Sequence, residues 1–337
     1  METKKLLNLG LKILLPLLLG GAILYWMYRD FDFHNLSEVL LNETNWTWML
    51  LSFPFGVTAQ MFRAWRWRQT LEPIGEHARQ STSIYAIFLS YAVSLVIPRV
   101  GEFSRCGVLK RYDGISFSKA LGTVVTERAV DSLFILGLTA VTLLAQLPIF
   151  STFFSRTGTN LDALLGRFSA TGYVVTAVCG LSALLLLHLL LKKLSIYNKV
   201  KATFSGIWQG VLSLRHVSNV SLYLLLTLGI WGSYFLHYYL TFFCFSSTAH
   251  LGITCALVTF VVGSIAVIVP TPNGAGPWHF AVKTMLILSG LADQDALYFV
   301  LIVHTVQTML VVALGIWGAI GLSMTQRRTV ATDALPA

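Results

Sequence analysis

Along this chain, long apolar runs alternate with short polar connections, many of them basic. Runs of about twenty residues fall at roughly 9–28, 46–66, 119–147, 170–191, 219–244 and 295–322. That is the length a helix needs to cross a bilayer. Two further apolar stretches, 82–98 and 251–270, behave differently. The first runs into Pro98-Arg99-Val100-Gly101-Glu102, the second into Pro270-Thr271-Pro272-Asn273-Gly274. Proline removes a backbone donor and glycine loosens the chain, so each stretch predicts a helix that breaks. Backbone opened at membrane depth must be buried in protein or line a wet cavity. A pair of broken segments in corresponding halves points to the binding site of a transporter.

Charge orients these elements. If every apolar stretch were a simple crossing, segments 63–79 and 99–119 would face opposite sides, although both are strongly basic. Folding 82–112 as a re-entrant hairpin, with Phe103–Leu109 in the return arm, puts both on one side. Treating 251–290 alike, with Gly276–Leu288 returning, gives a hairpin from the opposite face. Then 19 of the 24 Lys and Arg lie on one side and 4 on the other, with Arg128 inside a span. The positive-inside bias makes the richer side cytoplasmic and places both termini there.

The expected fold is therefore an all-α polytopic membrane protein. It has about six full transmembrane helices plus two oppositely oriented re-entrant hairpins. A single integral membrane domain covers 1–324, and 325–337 is a flexible cytoplasmic tail. Unit one, about 46–147, and unit two, about 219–322, form an inverted-topology repeat. Pro98 aligns with Pro270, Gly101 lies near Gly274, and Gly114 aligns with Gly290, with a gap of about four residues in the return arm. The start of the chain, with Lys4, Lys5 and Lys12 ahead of Ile13–Tyr28, lacks a small-x-small cleavage site and reads as a retained first span. Amphipathic segments 204–215 and 31–41 read as helices lying in the membrane interface.

Composition agrees. Hydrophobic residues make up 55% of the 337 and charged residues 12%, with mean hydropathy +0.69. Soluble domains carry about twice that charged fraction. The net charge of +9 would suit nucleic acid, but its basic residues lie in connections between apolar spans, so no nucleic-acid partner is expected. Cys106, Cys179, Cys244 and Cys255 lie far apart without metal-ligand spacing. No nucleophile elbow, Walker motif, zincin motif or dinucleotide fingerprint occurs. The expectation is no enzyme, no cofactor, no metal and no ATP-driven step within this chain.

Polar groups inside apolar runs carry the candidate chemistry, because each ionisable group there costs roughly 2.5–3.5 kcal/mol on insertion scales. Glu127 and Asp131 are four apart and share a helix face, with Arg128 on its flank. They read equally as a headgroup or proton site and as an ion pair fastening the span to hairpin one. Arg99, Glu102 and Arg105 lie at and after the first break, where arginine suits phosphate or carboxylate. Snorkelling to cytoplasmic headgroups is the other reading for the arginines. The second break carries Asn273, Gly274, His279 and Lys283, read as a cationic lining or as an interfacial loop anchored by Trp278. His304 marks the last span where Glu127 marks the first unit; it reads as a helix–helix hydrogen bond or as a proton group.

The runs Pro98-Arg-Val-Gly101-Glu102-Phe-Ser-Arg105, Thr126-Glu127-Arg128-Ala-Val-Asp131 and Pro270-Thr-Pro-Asn-Gly274 resemble the transmembrane region of lysylphosphatidylglycerol synthases and their stand-alone flippase-like relatives. The resemblance covers about residues 5–325. It implies an inner-membrane protein of lipid flippase type, with Arg99, Glu102, Arg105, Glu127, Arg128 and Gly274 as the family's characteristic residues. The bifunctional enzymes also carry a soluble aminoacyl-transfer domain. This sequence reaches Ala337 without one, so that activity is not carried over.

The resulting expectation is a membrane transporter that moves a phospholipid or polyprenyl-type headgroup between leaflets through a polar midplane cavity. Arg99, Arg105, Arg128 and Lys283 would hold phosphate; Glu102, Glu127 and Asp131 would orient the arginines or carry a proton. Its partners would be a membrane lipid, with a lipid-modifying enzyme or a second copy of the chain as further candidates. The rival readings are a secondary transporter of a small soluble solute and a non-transporting partner of a lipid-modifying enzyme.

Overall fold

The computed structural model describes residues 14, 17–29, 31, 35–156, 217 and 219–327, with residues 147–156 as backbone only. The predicted span 170–191, the interfacial segment 204–215 and residues 328–337 lie outside them. The chain divides into two compact units, Met1–Glu127 with Leu214–Ala337, and Arg128–Ser213. Among the described residues every regular element is helical.

The helices are α1 (Leu17–Tyr28), α2 (Trp46–Leu71), α3 (Gln80–Val96), α4 (Val100–Asp113), α5 (Phe117–Arg156), α6 (Val220–Tyr239), α7 (Gly252–Ala266), α8 (Pro277–Leu288) and α9 (Asp293–Ser323). One order occurs twice: a long helix, a short apolar helix, a break, a polar-edged helix and a long helix. Three stretches among the described residues are long and apolar enough to cross a membrane by themselves: Phe117–Gln146, Val220–Cys244 and Asp293–Ser323. Asparagine side chains start two of the long helices. Asn45 accepts from the Thr47 N–H at 3.1 Å and Asn219 from the Leu222 N–H at 2.9 Å, satisfying donors that a helix start leaves open. Segment 31–41 is not one amphipathic helix. The turn Leu36–Glu38 runs directly into a π-type turn over Val39–Glu43.

Helix α2 runs five residues past the predicted end at 66. The sequence reading treated Arg63, Arg66 and Arg68 as loop cations. Instead Arg63 and Arg66 are 3% and 0% exposed and lie against aromatic faces. The Arg66 guanidinium is 5.4 Å from the Tyr223 ring centroid and Arg63 is 5.9 Å from that of Tyr234. Arg66 Nη1 also donates to Thr227 Oγ1 at 3.0 Å. These contacts join α2 to α6, the first long helices of the two halves.

Each broken pair has its own core. Around α3 and α4 the buried set includes Trp67, Ile87, Cys106, Leu109, Ile115 and Val124. Around α7 and α8 it is larger and aromatic, with Tyr238, Phe242, Phe245 and Phe299 beside Val282 and Leu286, and it takes in Met27 of α1. The base of the first pair is clamped by charge: Arg79 pairs with Asp113, and its Nη2 donates to the Tyr112 carbonyl at 2.9 Å. Helix α3 also packs on α9, where Gly315 faces Ala92 and a Cβ at Gly318 would lie 2.8 Å from the Tyr85 carbonyl oxygen.

Candidate functional site

Two non-glycine residues among those described adopt positive φ, Arg99 at 67° and Asn273 at 51°. A left-handed L-residue costs about 1–2 kcal/mol, and each of these follows a proline at a break. By backbone conformation Pro98 resembles Pro272, where the sequence pattern aligns it with Pro270. The return arms close on left-handed Gly114 and Gly290, 15 residues after Arg99 and 17 after Asn273. The gap between the halves shrinks to two residues. The breaks touch: Arg99 Nη2 donates to the Ile268 carbonyl at 3.2 Å.

Below the first break, Gly101 lets α4 approach α3 so closely that a Cβ there would collide with the Ser90 carbonyl and Ser94 Oγ. Glu102 follows in the first turn of α4. Arg105, one turn on, is 2% exposed and donates from Nη2 to Oε2 of the fully buried Glu127 at 2.7 Å. The Arg105 guanidinium also lies 4.4 Å from the Trp67 ring centroid, and Trp67 Nε1 donates to Thr123 Oγ1 at 2.9 Å. Arg105 Nη1 and Glu127 Oε1 are buried with no hydrogen-bond partner among the described residues. The pair thus fastens α4 to α5, and retains one donor and one acceptor for another group.

Below the second break the chemistry is uncharged or weakly basic. Asn273 Nδ2 donates to Thr308 Oγ1 at 2.7 Å, and its carbonyl lies 3.1 Å from His304 Nε2. His279 stacks toward His304 with ring centroids 4.3 Å apart, and its Nδ1 accepts from the Gly276 N–H at 3.4 Å. Gly274 is left-handed with a Cβ-sized gap closed by Val267. Lys283 is one turn beyond His279 and also faces α9, yet it does not join this cluster. Its Nζ pairs with Asp293 at 2.8 Å, at the start of α9.

In the second unit, Arg128 Nη1 lies 3.7 Å from Asp131 Oδ2, with the carboxylate nearly buried and the guanidinium 42% exposed. Glu127 and Asp131, four apart, thus take different arginines. Among the described residues no group of three or more His, Cys, Asp or Glu side chains could hold a metal.

Sequence reasoning missed the polar seam between α2 and α6. Besides Arg63 and Arg66 it holds buried Gln60, while the Tyr234 hydroxyl donates to that of Tyr91 on α3 at 3.0 Å. The signal was present as spacing. Gln60, Arg63 and Arg66 recur at three residues, close to the period of one helix face.

Buried ionic and polar side chains inside long apolar helices, gathered at two helix breaks, define an all-α integral membrane protein with a polar interior. The chain belongs to the family described as the lysylphosphatidylglycerol synthase TM region, whose model matches residues 13–315. Neither the curated proteins nor the solved structures contain a match. Family membership gives the protein a role connected with membrane lipids.

Proposed function

We propose that this protein moves the headgroup of a phospholipid or polyprenyl-type lipid between leaflets, along a polar passage where the two helix breaks meet. The observation that carries this reading is the contact of the breaks, Arg99 to the Ile268 carbonyl, beside a buried Arg105–Glu127 pair with unspent hydrogen-bonding capacity. Acyl chains stay in the bilayer while the headgroup passes between arginine, asparagine and histidine side chains. The broken pairs α3/α4 and α7/α8 act as re-entrant hairpins from opposite faces, and the halves form an inverted-topology repeat in the inner membrane. Both termini are cytoplasmic, by the distribution of Lys and Arg. Transport, not catalysis, is the activity of this chain.

The test is headgroup translocation in proteoliposomes carrying fluorescent lipids with several headgroups. Wild type is expected to move at least one of them. Arg99→Ala is expected to slow that movement at least tenfold while leaving thermal stability near wild type, because Arg99 is exposed and its side chain donates to a backbone carbonyl. Failure of well-folded wild type to move any lipid would overturn the reading.

A further inference from the structure

The backbone of the second break fixes the tautomers of two rings. The Gly276 N–H can only donate, so His279 Nδ1, 3.4 Å away, presents a lone pair and the ring proton sits on Nε2. The Asn273 carbonyl can only accept, so His304 Nε2, 3.1 Å away, carries the proton and leaves Nδ1 bare. Both rings are therefore neutral in this conformation. They differ in what one more proton would do. On His304 it would add at Nδ1 and leave the Asn273 contact in place. On His279 it would add at Nδ1 and set a donor against the Gly276 N–H. His279 is 3% exposed, and two donors facing each other in a buried site are costly. Gly276 begins α8 at φ 90°. A Cβ on it would lie 2.8 Å from the Gly20 carbonyl oxygen of α1. Protonation of His279 thus goes together with withdrawal of the start of α8 from the break.

No anion in the surrounding helices offsets that charge. Helices α1, α3, α6 and α7 and residues 267–276 contain no Asp or Glu. From α1 comes Tyr28, its ring 6.3 Å from that of His279. From α6 come Tyr238, 6.3 Å from the Trp278 ring, and His237, turned to the Ser52 carbonyl of α2. Helix α7 has Cys255, α3 has Tyr85 and Tyr91, and α9 adds Tyr298. The cations are Arg99, on the Ile268 carbonyl, and Lys283, one turn on and paired with Asp293. The rings of His279 and His304 are 4.3 Å apart, so like-charge repulsion limits the pair to a single charge. A proton is therefore held only where water reaches the ring.

We propose that His279 Nδ1 is a proton-binding site, occupied when the second break opens to water and emptied when it closes. The proton comes from water, adds to the Nδ1 lone pair in place of the Gly276 N–H, and returns to water as the break closes. His304 stays neutral and holds the Asn273 turn throughout. Proton binding and opening favour each other by linkage. The use of that linkage to drive headgroup movement rests on the transport proposed above.

The test reads tryptophan emission of the protein in phosphatidylcholine nanodiscs from about pH 8 to about pH 4, a range that spans histidine protonation, and subtracts the same titration of Trp278→Phe. The Trp278 ring centroid lies 5.5 Å from that of His279 and 5.1 Å from that of His304, close enough for an imidazolium to quench it. Wild type is expected to lose Trp278 emission in a one-proton transition. His279→Asn, whose amide oxygen still accepts from the Gly276 N–H but does not titrate, is expected to lack that transition. In proteoliposomes, headgroup movement is expected to change several-fold over the same range in wild type and to stay level in His279→Asn. Absence of the transition from folded wild type would overturn the proposal without any histidine variant, as would a transition that survives in folded His279→Asn. Wild-type movement that stays level with pH beside a clear transition would overturn the coupling. A protein that shows the transition, and its loss in His279→Asn, but moves no headgroup would contradict the function proposed above and leave the proton site standing.

Discussion

The two broken helix pairs solve one backbone problem with opposite chemistry. In the first, α4 is tied to α5 by a buried ion pair, Arg105 with Glu127, roofed by Trp67. In the second, the buried contact of α8 with α9 near the break is a histidine pair, His279 with His304, set among Trp278, Tyr238 and Phe299, and the charged contact between these helices is the solvent-reached pair of Lys283 with Asp293 one turn further on. Both breaks use a proline followed by a left-handed residue. The backbone device is the same in both while the side chains differ. A charged clasp is costly to open, because each ion left alone in a low-dielectric interior must be compensated. A ring contact is weak and can be remade. On the transport reading proposed above, the first half would be the fixed partner and the second the adaptable one.

Substitutions should rank accordingly. The largest effect is expected from Glu127→Ala, which leaves the Arg105 guanidinium buried without its carboxylate. A loss of about 3–5 kcal/mol should appear as a steep fall in the thermal midpoint in detergent. Substituting Arg105→Met together with Glu127→Leu should recover much of that loss, since hydrophobic replacement of a whole buried pair is often near neutral. Gly101→Ala comes next, at roughly 1–3 kcal/mol, because its methyl group meets the Ser90 carbonyl rather than a flexible side chain. The same thermal scans would read it.

In the second half the expected effects are smaller. His304→Ala removes a ring contact and the approach to the Asn273 carbonyl, worth about 1 kcal/mol together. If it proved as costly as Glu127→Ala, the contrast between a fixed and an adaptable half would fail. The smallest change is expected from Asn273→Gly. Relief of the left-handed backbone, about 1 kcal/mol, offsets loss of the Thr308 hydrogen bond, about 1 kcal/mol. The thermal midpoint should then stay close to wild type.

What the sequence made legible follows from the physics of each signal. Proline and glycine announce breaks locally, so both breaks and the matched glycines Gly114 and Gly290 could be read directly; that these glycines are left-handed is seen only in the structure. The sequence pattern aligns Pro98 with Pro270, whereas the left-handed residues follow Pro98 and Pro272, because sequence shows that a break occurs but not which residue turns left-handed. Charge was read as exposure, which shortened α2: nothing local tells that Arg63 and Arg66 find Tyr234 and Tyr223 on a helix more than 150 residues away. The shared face of His279 and Lys283 was legible from their spacing. That Lys283 would meet Asp293 depended on where α9 begins. The pairing of Glu127 with Arg105 likewise depended on tertiary distance, whereas that of Asp131 with Arg128 is an i,i+3 contact within one helix.

The central claim is that a headgroup crosses where the two breaks meet. It is tested most directly by tying them together. A protein with Arg99→Cys and Ile268→Cys, reconstituted in liposomes, would be treated with a short bis-maleimide, and headgroup translocation compared before and after linkage. The account predicts that the unlinked double variant retains a measurable movement, slowed as in Arg99→Ala, that linkage abolishes it, and that the reagent leaves the movement of either single variant at its untreated level. Unchanged movement through protein shown to be fully cross-linked would contradict the account.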